Sequence, residues 1–306
     1  MDIKKQDIKE VIKRNKIWEF LFYFIGLIST FIGLALLCVL FVDLFIDGYP
    51  RLTYKFFTSF PSRFPKEAGI LSAWVGSILI MIVTAISAIP VGVLAGVYLE
   101  EYAKKNWFTN FIEINISNLA GVPSIIYGLL ALGLFVQTLK FGESILTGGL
   151  TLGLLILPMI IMATRESIRA IPDSIREASY ALGATKWQTI RYHILPYSSG
   201  GILTGIIIGL SRAIGETAPI ITVGALTFIA FLPTSPISNT FPYISFKWLF
   251  DPFTVMPIQM FNWVSRPQKE FHINAAAAGI VLLIMTLAMN AVAIYIRYKF
   301  RKRIKW

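Results

Sequence analysis

Six apolar runs, at about residues 18–42, 69–99, 114–136, 145–163, 198–232 and 272–296, constrain this chain more than anything else in it. Each is long enough for the ~20 residues that cross a bilayer core, the fourth only just. Inside hydrocarbon every backbone N–H and C=O must be satisfied within the chain, so runs of this kind admit helices and little else. The expected fold class is therefore an all-α integral membrane protein with six transmembrane helices. The second and fifth runs exceed a straight span, and Pro90 and Pro219 are candidate break points. Composition agrees: 56% of the 306 residues are hydrophobic and 15% charged. Soluble domains average roughly 45–50% and about 25%. The first run is longer than the apolar core of a secretion signal and lacks a clear small-residue cleavage site, so it reads as a retained span.

A net charge of +11 would suit nucleic acid if it were concentrated on one surface. It is distributed by compartment instead. With the N-terminus in the cytoplasm, nineteen of the 28 Lys and Arg fall inside: in the N-terminal segment, the 100–113 and 164–197 loops, and the tail. Eight fall outside, and Arg212 lies within a span. That asymmetry places both termini in the cytoplasm and removes nucleic acid as an expected partner. The single Cys, Cys38, excludes an internal disulfide, and His193 and His272 have no ligand-like neighbours, so no metal site is expected. The chain has no G-x-x-x-x-G-K-[ST] phosphate cradle, no G-x-S-x-G elbow and no H-E-x-x-H. No catalytic residue is assigned, and any ATP-driven step must be carried by another polypeptide.

The external segments 43–68 and 233–271 are rich in Pro and aromatics, which suits ordered loops at headgroup level rather than folded domains. The cytoplasmic segment 164–197 is more patterned. Pro172 suits a first helical position. Ile171, Ile175, Ala178 and Leu182 then recur at helical spacing, and Gly183 sits where a C′ glycine would stop the helix. Thr185 can cap a second helix carrying Trp187, Ile190 and Ile194 before Pro196. Two readings stand: a hairpin lying on the headgroups, or a docking element for a soluble partner.

The fifth run contains GLSRAIGETAPI, with Arg212 and Glu216 at bilayer depth. A lone charge there costs about 2.5–3.5 kcal/mol on insertion scales. Spacing i, i+4 puts the two on one helix face, so each offsets the other. They serve either as a self-compensated packing pair or as the lining of a polar path, where Thr217 adds a hydroxyl. Gly201, Gly205 and Gly209 form a small-residue ladder for close helix packing. Pro123 and Ser124, in GVPS, mark either a plain kink or a second lining element. An intramembrane enzyme using Glu216 or Asp43 as acid or base finds no second carboxylate beside Glu216.

The stretch EASYALGATKWQTIRYHILP, Glu177 to Pro196, resembles the EAA loop of ABC-importer permeases: Glu-Ala, a Gly, then Ile-Leu-Pro. Ser179 stands where that consensus has a second Ala. FTSFPSRFPKEAGI (57–70), LAGVPSIIYGLLAL (119–132) and SRAIGETAPIITVGA (211–225) together resemble the PstA family of phosphate permeases. The sibling PstC family continues R-A-x-G-E-T with M-A, where this chain has Ala218-Pro219. The resemblance covers about residues 57–300. It implies a type I ABC-importer permease fold in the cell membrane and import of inorganic phosphate by alternating access. The implied partners are a PstC-like second permease, a PstB-like ATPase dimer holding ATP and Mg, and an external PstS-like phosphate-binding protein. It also implies that Pro172, Asp173, Ile175, Arg176, Glu177, Ala178, Leu182 and Gly183 form the coupling helix seated on the ATPase. Sulfate, molybdate or phosphonate is the alternative cargo. The expected organisation is an N-terminal part (1–68), a permease core (69–300) and a basic tail (301–306). A scaffold without transport would leave the EAA-like loop without a role.

Overall fold

The computed structural model describes residues 2–237, 243 and 245–301, so the tail at 301–306 lies outside the described residues except for Arg301. A long α1 (Asp2–Gly48) leads through a 3₁₀ turn at Tyr49–Arg51 to α2 (Tyr54–Thr58) and α3 (Leu71–Val97). Helices α4 (Trp107–Leu119) and α5 (Ser124–Ala131) follow, and a π-helical turn carries α5 on to Thr138. Next come α6 (Ile145–Arg169), α7 (Asp173–Ala181) and the one-turn α8 (Lys186–Thr189), which passes through a π turn (Ile190–Ile194) into α9 (Leu195–Gly215). The chain closes with α10 (Ala218–Thr222), α11 (Met256–Val264) and α12 (Lys269–Arg301).

Among the described residues five helical stretches, built on α1, α3, α6, α8–α9 and α12, are long and apolar enough to cross a membrane. The third expected run is a pair, Trp107–Leu119 and Ser124–Thr138, inclined at 106°. Packing shows that this pair makes its own crossing. Helices α3 and α6 run parallel, with Val83 beside Gly149, Gly92 beside Ile160 and Gly96 beside Thr164. The chain between two parallel neighbours must return to the starting side, and α4–α5 is what lies between. Helix α9 runs antiparallel to α6, since Gly201 meets Ser167 and Gly209 meets Ile156. Helix α12 opposes α9, through Ser211–Asn290 and Thr204–Arg297. Helix α1 opposes α12, with Gly48 against Ala277 and Gly279 against Leu44. Six crossings result, with both ends of the described chain on the basic, cytoplasmic side.

The GVPS stretch is a full break rather than a kink. Proline lacks an N–H and pushes the preceding residue out of the helical region. Pro123 accordingly becomes the N-cap of α5, at φ −54° and ψ 134°. The Tyr127 hydroxyl donates to Leu119 O at 2.8 Å, a carbonyl at the end of α4 that also accepts from Val122 N–H at 3.1 Å, and so fixes the bend. Pro90, by contrast, leaves α3 uninterrupted. In the fifth run the helix stops at Gly215, before Glu216 and Thr217, and Pro219 lies in the first turn of α10. Pro196 does not end the second cytoplasmic helix either. The π turn lets Leu195 N–H bond Ile190 O, and the helix continues as α9.

Helix α6 forms the centre: 67% of its most apolar window is buried, against none of that in α1. Small residues permit this approach on both flanks. Gly149 and Gly153 of α6 meet Val83 and Ser87 of α3. Gly201, Gly205 and Gly209 of α9 meet Ser167, Ala163 and Ile156 of α6. On the outer side Arg51 donates to Asn274 Oδ1 (2.8 Å) and to the carbonyl of Ala68 (2.9 Å), tying the 52–70 segment to α12.

Candidate functional site

Arg212 sits one turn before the end of α9, at the depth of Met159 near the middle of α6. Glu216 is the C-cap of α9, with extended backbone (φ −75°, ψ 129°), so it leaves the helix instead of continuing its face. The ion pair forms nonetheless: Arg212 Nε donates to Glu216 Oε1 at 3.1 Å. The other partner of Arg212 is the Met159 sulfur, 3.6 Å from Nη1, a weak acceptor. The remaining N–H groups of the guanidinium have no acceptor among the described residues. The Arg212 side chain is 37% exposed and that of Glu216 18%. Next to it, Ser211 donates to Asn290 Oδ1 at 2.6 Å, which holds that side of α9 on α12.

The other pathway candidates lie around this pair without touching it through hydrogen bonds. Thr217 is half-buried and is the N-cap of α10, with no side-chain cap bond. Helix α5 packs on α10 where Gly128 meets Pro219 and Thr222. This places Ser124 one turn along α5 from that contact, with Pro123 exposed beside it. Tyr127, on the same helix, lies within electrostatic reach of Arg212.

The second candidate region is at the cytoplasmic end. Pro172 takes the N-cap of α7, one place earlier than the expected first helical position, with ψ 141° setting the turn. Gly183 stands at φ +84°, a conformation open to glycine. Its N–H reaches Tyr180 O (2.9 Å), while Ala184 N–H reaches Ser179 O (3.2 Å), a wound-back helix end. Thr185 and Gln188 form a capping box at the start of α8. The expected apolar stripe is split. Ile171 is buried with Val97, Ile168, Ile190 and Ile194, and Ile175 packs on that cluster. Ala178 is exposed, and Leu182 is 90% exposed. Asp173, Glu177, Tyr180 and Leu182 thus make an exposed, outward surface. Ser179 is buried, and its hydroxyl pairs with Thr189 Oγ1 at 2.8 Å, which explains how a serine fits where the EAA pattern has alanine.

Arg176 points inward. It pairs with Glu101 at 2.8 Å, and Arg165 and Arg169 pair with Glu113 and Glu100 at 2.7 and 3.0 Å. From the sequence, Arg165 and Arg169 read as topology signals and Arg176, by resemblance, as part of the ATPase-coupling helix, with no role assigned to the three carboxylates. The available signal was their shared compartment: Glu100, Glu101 and Glu113 flank the other cytoplasmic loop. Among the described residues no cluster of His, Cys, Asp and Glu could hold a metal.

Comparison with known proteins gives the same architecture. The model of the family described as "Binding-protein-dependent transport system inner membrane component" matches residues 88–306. A probable ABC transporter permease protein, YqgI of Bacillus subtilis, is 32% identical over 273 residues, covering 88% of this chain and 90% of its own. The phosphate transport system permease protein PstA of Haemophilus influenzae is 33% identical over 228 residues, covering 74% and 80%. Among solved structures, a chain of the MetNI methionine ABC transporter superposes with a TM-score of 0.56 at 15% identity, over 74% of this chain and 93% of that one.

Proposed function

Since this chain belongs to the family of binding-protein-dependent transport system inner membrane components, we propose that it is the permease subunit through which an ATP-driven importer passes inorganic phosphate across the cell membrane. It is a multi-pass membrane protein and a transporter subunit rather than an enzyme, and such permeases work with a separate ATPase and an external binding protein. The finer reading is a PstC-like second permease, a PstB-like ATPase dimer and a PstS-like binding protein. ATP and Mg belong to the ATPase, and this chain binds no cofactor of its own.

The observation that carries the phosphate reading is the half-exposed Arg212 with most of its N–H groups idle. A guanidinium fork matches a phosphate oxyanion in shape and charge. A charge held at this depth costs insertion energy and persists where it lines a path. Glu216 holds Arg212 through Nε and competes with the anion, which keeps binding weak enough for release. A path must bind its ion well enough to admit it and weakly enough to let it leave. Helix α7, held firmly and presenting Glu177 and Leu182 outward, suits the groove of an ATPase. Inward- and outward-open states of the pair of permeases would then alternate around Arg212.

The test is purification from membranes followed by uptake assays. The reading requires co-purification of an ATPase and a second permease, and uptake of labelled phosphate into vesicles that excess sulfate, molybdate or phosphonate does not suppress. A chain stable alone, or uptake suppressed by sulfate more than by phosphate, would reject it.

A further inference from the structure

Three elements end at one guanidinium beneath α7. Arg176 donates from Nε and Nη2 to Glu101 Oε1 at 3.0 and 2.8 Å. From Nη1 it donates to Ile171 O (2.9 Å) and Asp173 Oδ1 (3.1 Å), and from Nη2 to Ile168 O (3.2 Å). A guanidinium has five N–H donors, and here each one has an acceptor. Ile168 lies in the last turn of α6, where the helix dipole is negative, and its carbonyl also accepts from Ile171 N–H at 3.1 Å. Glu101 lies in the π turn (Tyr98–Tyr102) that ends α3, and its side chain is only 6% exposed. One side chain therefore joins the foot of α3, the foot of α6 and the body of α7.

The neighbouring pairs extend the joint. Arg165, itself buried, reaches Glu113 of α4 at 2.7 Å and lies 3.5 Å from Glu100. Arg169 forks on Glu100 at 3.2 and 3.0 Å. The exposed members, Arg169–Glu166 and Arg176–Asp173, add little in water. The enclosed Arg176–Glu101 pair is different, because removing one member strands a buried charge.

We propose that Arg176 is a positioning residue that makes α7 one rigid body with α3 and α6. Motion imposed on α7 is then delivered to the two helices packed along the whole span, and is not absorbed in the 170–172 turn. The inference rests on the reading of α7 as the element that docks on the ATPase.

The experiment uses the complete complex in vesicles and reads two quantities: ATPase co-purification, and phosphate transported per ATP hydrolysed. Arg176→Lys keeps the charge and loses the fork, and Glu101→Gln keeps the shape and loses the charge. Each is expected to retain the ATPase while transport per ATP falls about tenfold, within the range by which network residues modulate coupling. The double variant Arg176→Met with Glu101→Leu leaves no stranded charge, so it inserts and assembles yet stays uncoupled. Normal transport per ATP in Arg176→Lys and in the double variant would overturn the proposal, as would loss of ATPase binding in the double variant. Glu177→Lys on the outward face tests the underlying reading separately. If it binds the ATPase normally, the docking role fails, whatever Arg176 does.

Discussion

Arg176 and Arg212 each hold a glutamate, at 2.8 and 3.1 Å, yet their surroundings differ in nearly every other respect. Arg176 is enclosed, its five N–H groups are all engaged, and two of its acceptors are backbone carbonyls. Arg212 is 37% exposed at mid-span, and among the described residues its firm acceptor is Glu216 alone. A saturated guanidinium has nothing left to offer a ligand and can only fix geometry. Under the proposed function, an unsaturated one at bilayer depth is an incomplete site that a passing oxyanion would complete. The contrast comes from the backbone around each: the π turn and helix ends gather acceptors at Arg176, and the break after Gly215 thins them out around Arg212.

The largest expected effect follows from removing the incomplete site. Arg212→Ala should reduce phosphate uptake to the background of vesicles lacking the complex, while co-purification of the partner subunits is unchanged. Glu216→Gln should change turnover more than assembly, because it loosens the hold on Arg212 without removing the fork. Loss of assembly in Arg212→Ala would erase the contrast and make both arginines structural.

A smaller effect is expected where α7 ends. Gly183→Val forces a β-branched residue to φ +84°. Nothing lies within 4 Å of the added Cβ, so the damage is backbone strain alone. Such strain costs on the order of 1–3 kcal/mol. Insertion should be normal and ATPase co-purification weak; full ATPase binding would show that the helix end does not shape the docking surface.

Much of this was legible in the sequence, and the misses share a physical cause. Hydrophobic runs and Lys/Arg asymmetry gave six crossings, and Gly183 and Thr185 marked the helix end and cap where the structure has them. Proline was the weak signal. Pro90 and Pro158 sit inside unbroken helices, Pro196 is bridged by a π turn, Pro123 marks a true break, and Pro219 lies just past the break after Gly215. Whether a proline breaks a membrane helix depends on what neighbours do with the freed carbonyl, and local sequence does not carry that. The inward turn of Arg176 was hidden for a similar reason. Its partner Glu101 is 75 residues away and becomes a neighbour only through the packing of α3 on α6.

The smallest expected effect concerns the buried hydroxyl pair under α7. Thr189→Val would leave Ser179, which is 5% exposed, without its partner. An orphaned buried hydroxyl costs about 1–3 kcal/mol. A modest loss of thermal stability in detergent with unchanged uptake is expected; a transport defect as large as that of Arg176→Lys would mean that the whole underside of α7, and not the ion joint, carries the coupling.

The distinction between the two arginines is tested most directly by uptake of labelled phosphate into vesicles containing the whole complex with Arg212→Leu and Glu216→Leu combined. Removing both charges avoids a stranded ion, so a purely structural pair would tolerate the double change better than either single one. A pair that lines the path predicts a complex that assembles, binds its ATPase and does not transport. Normal phosphate uptake by the double variant would contradict it.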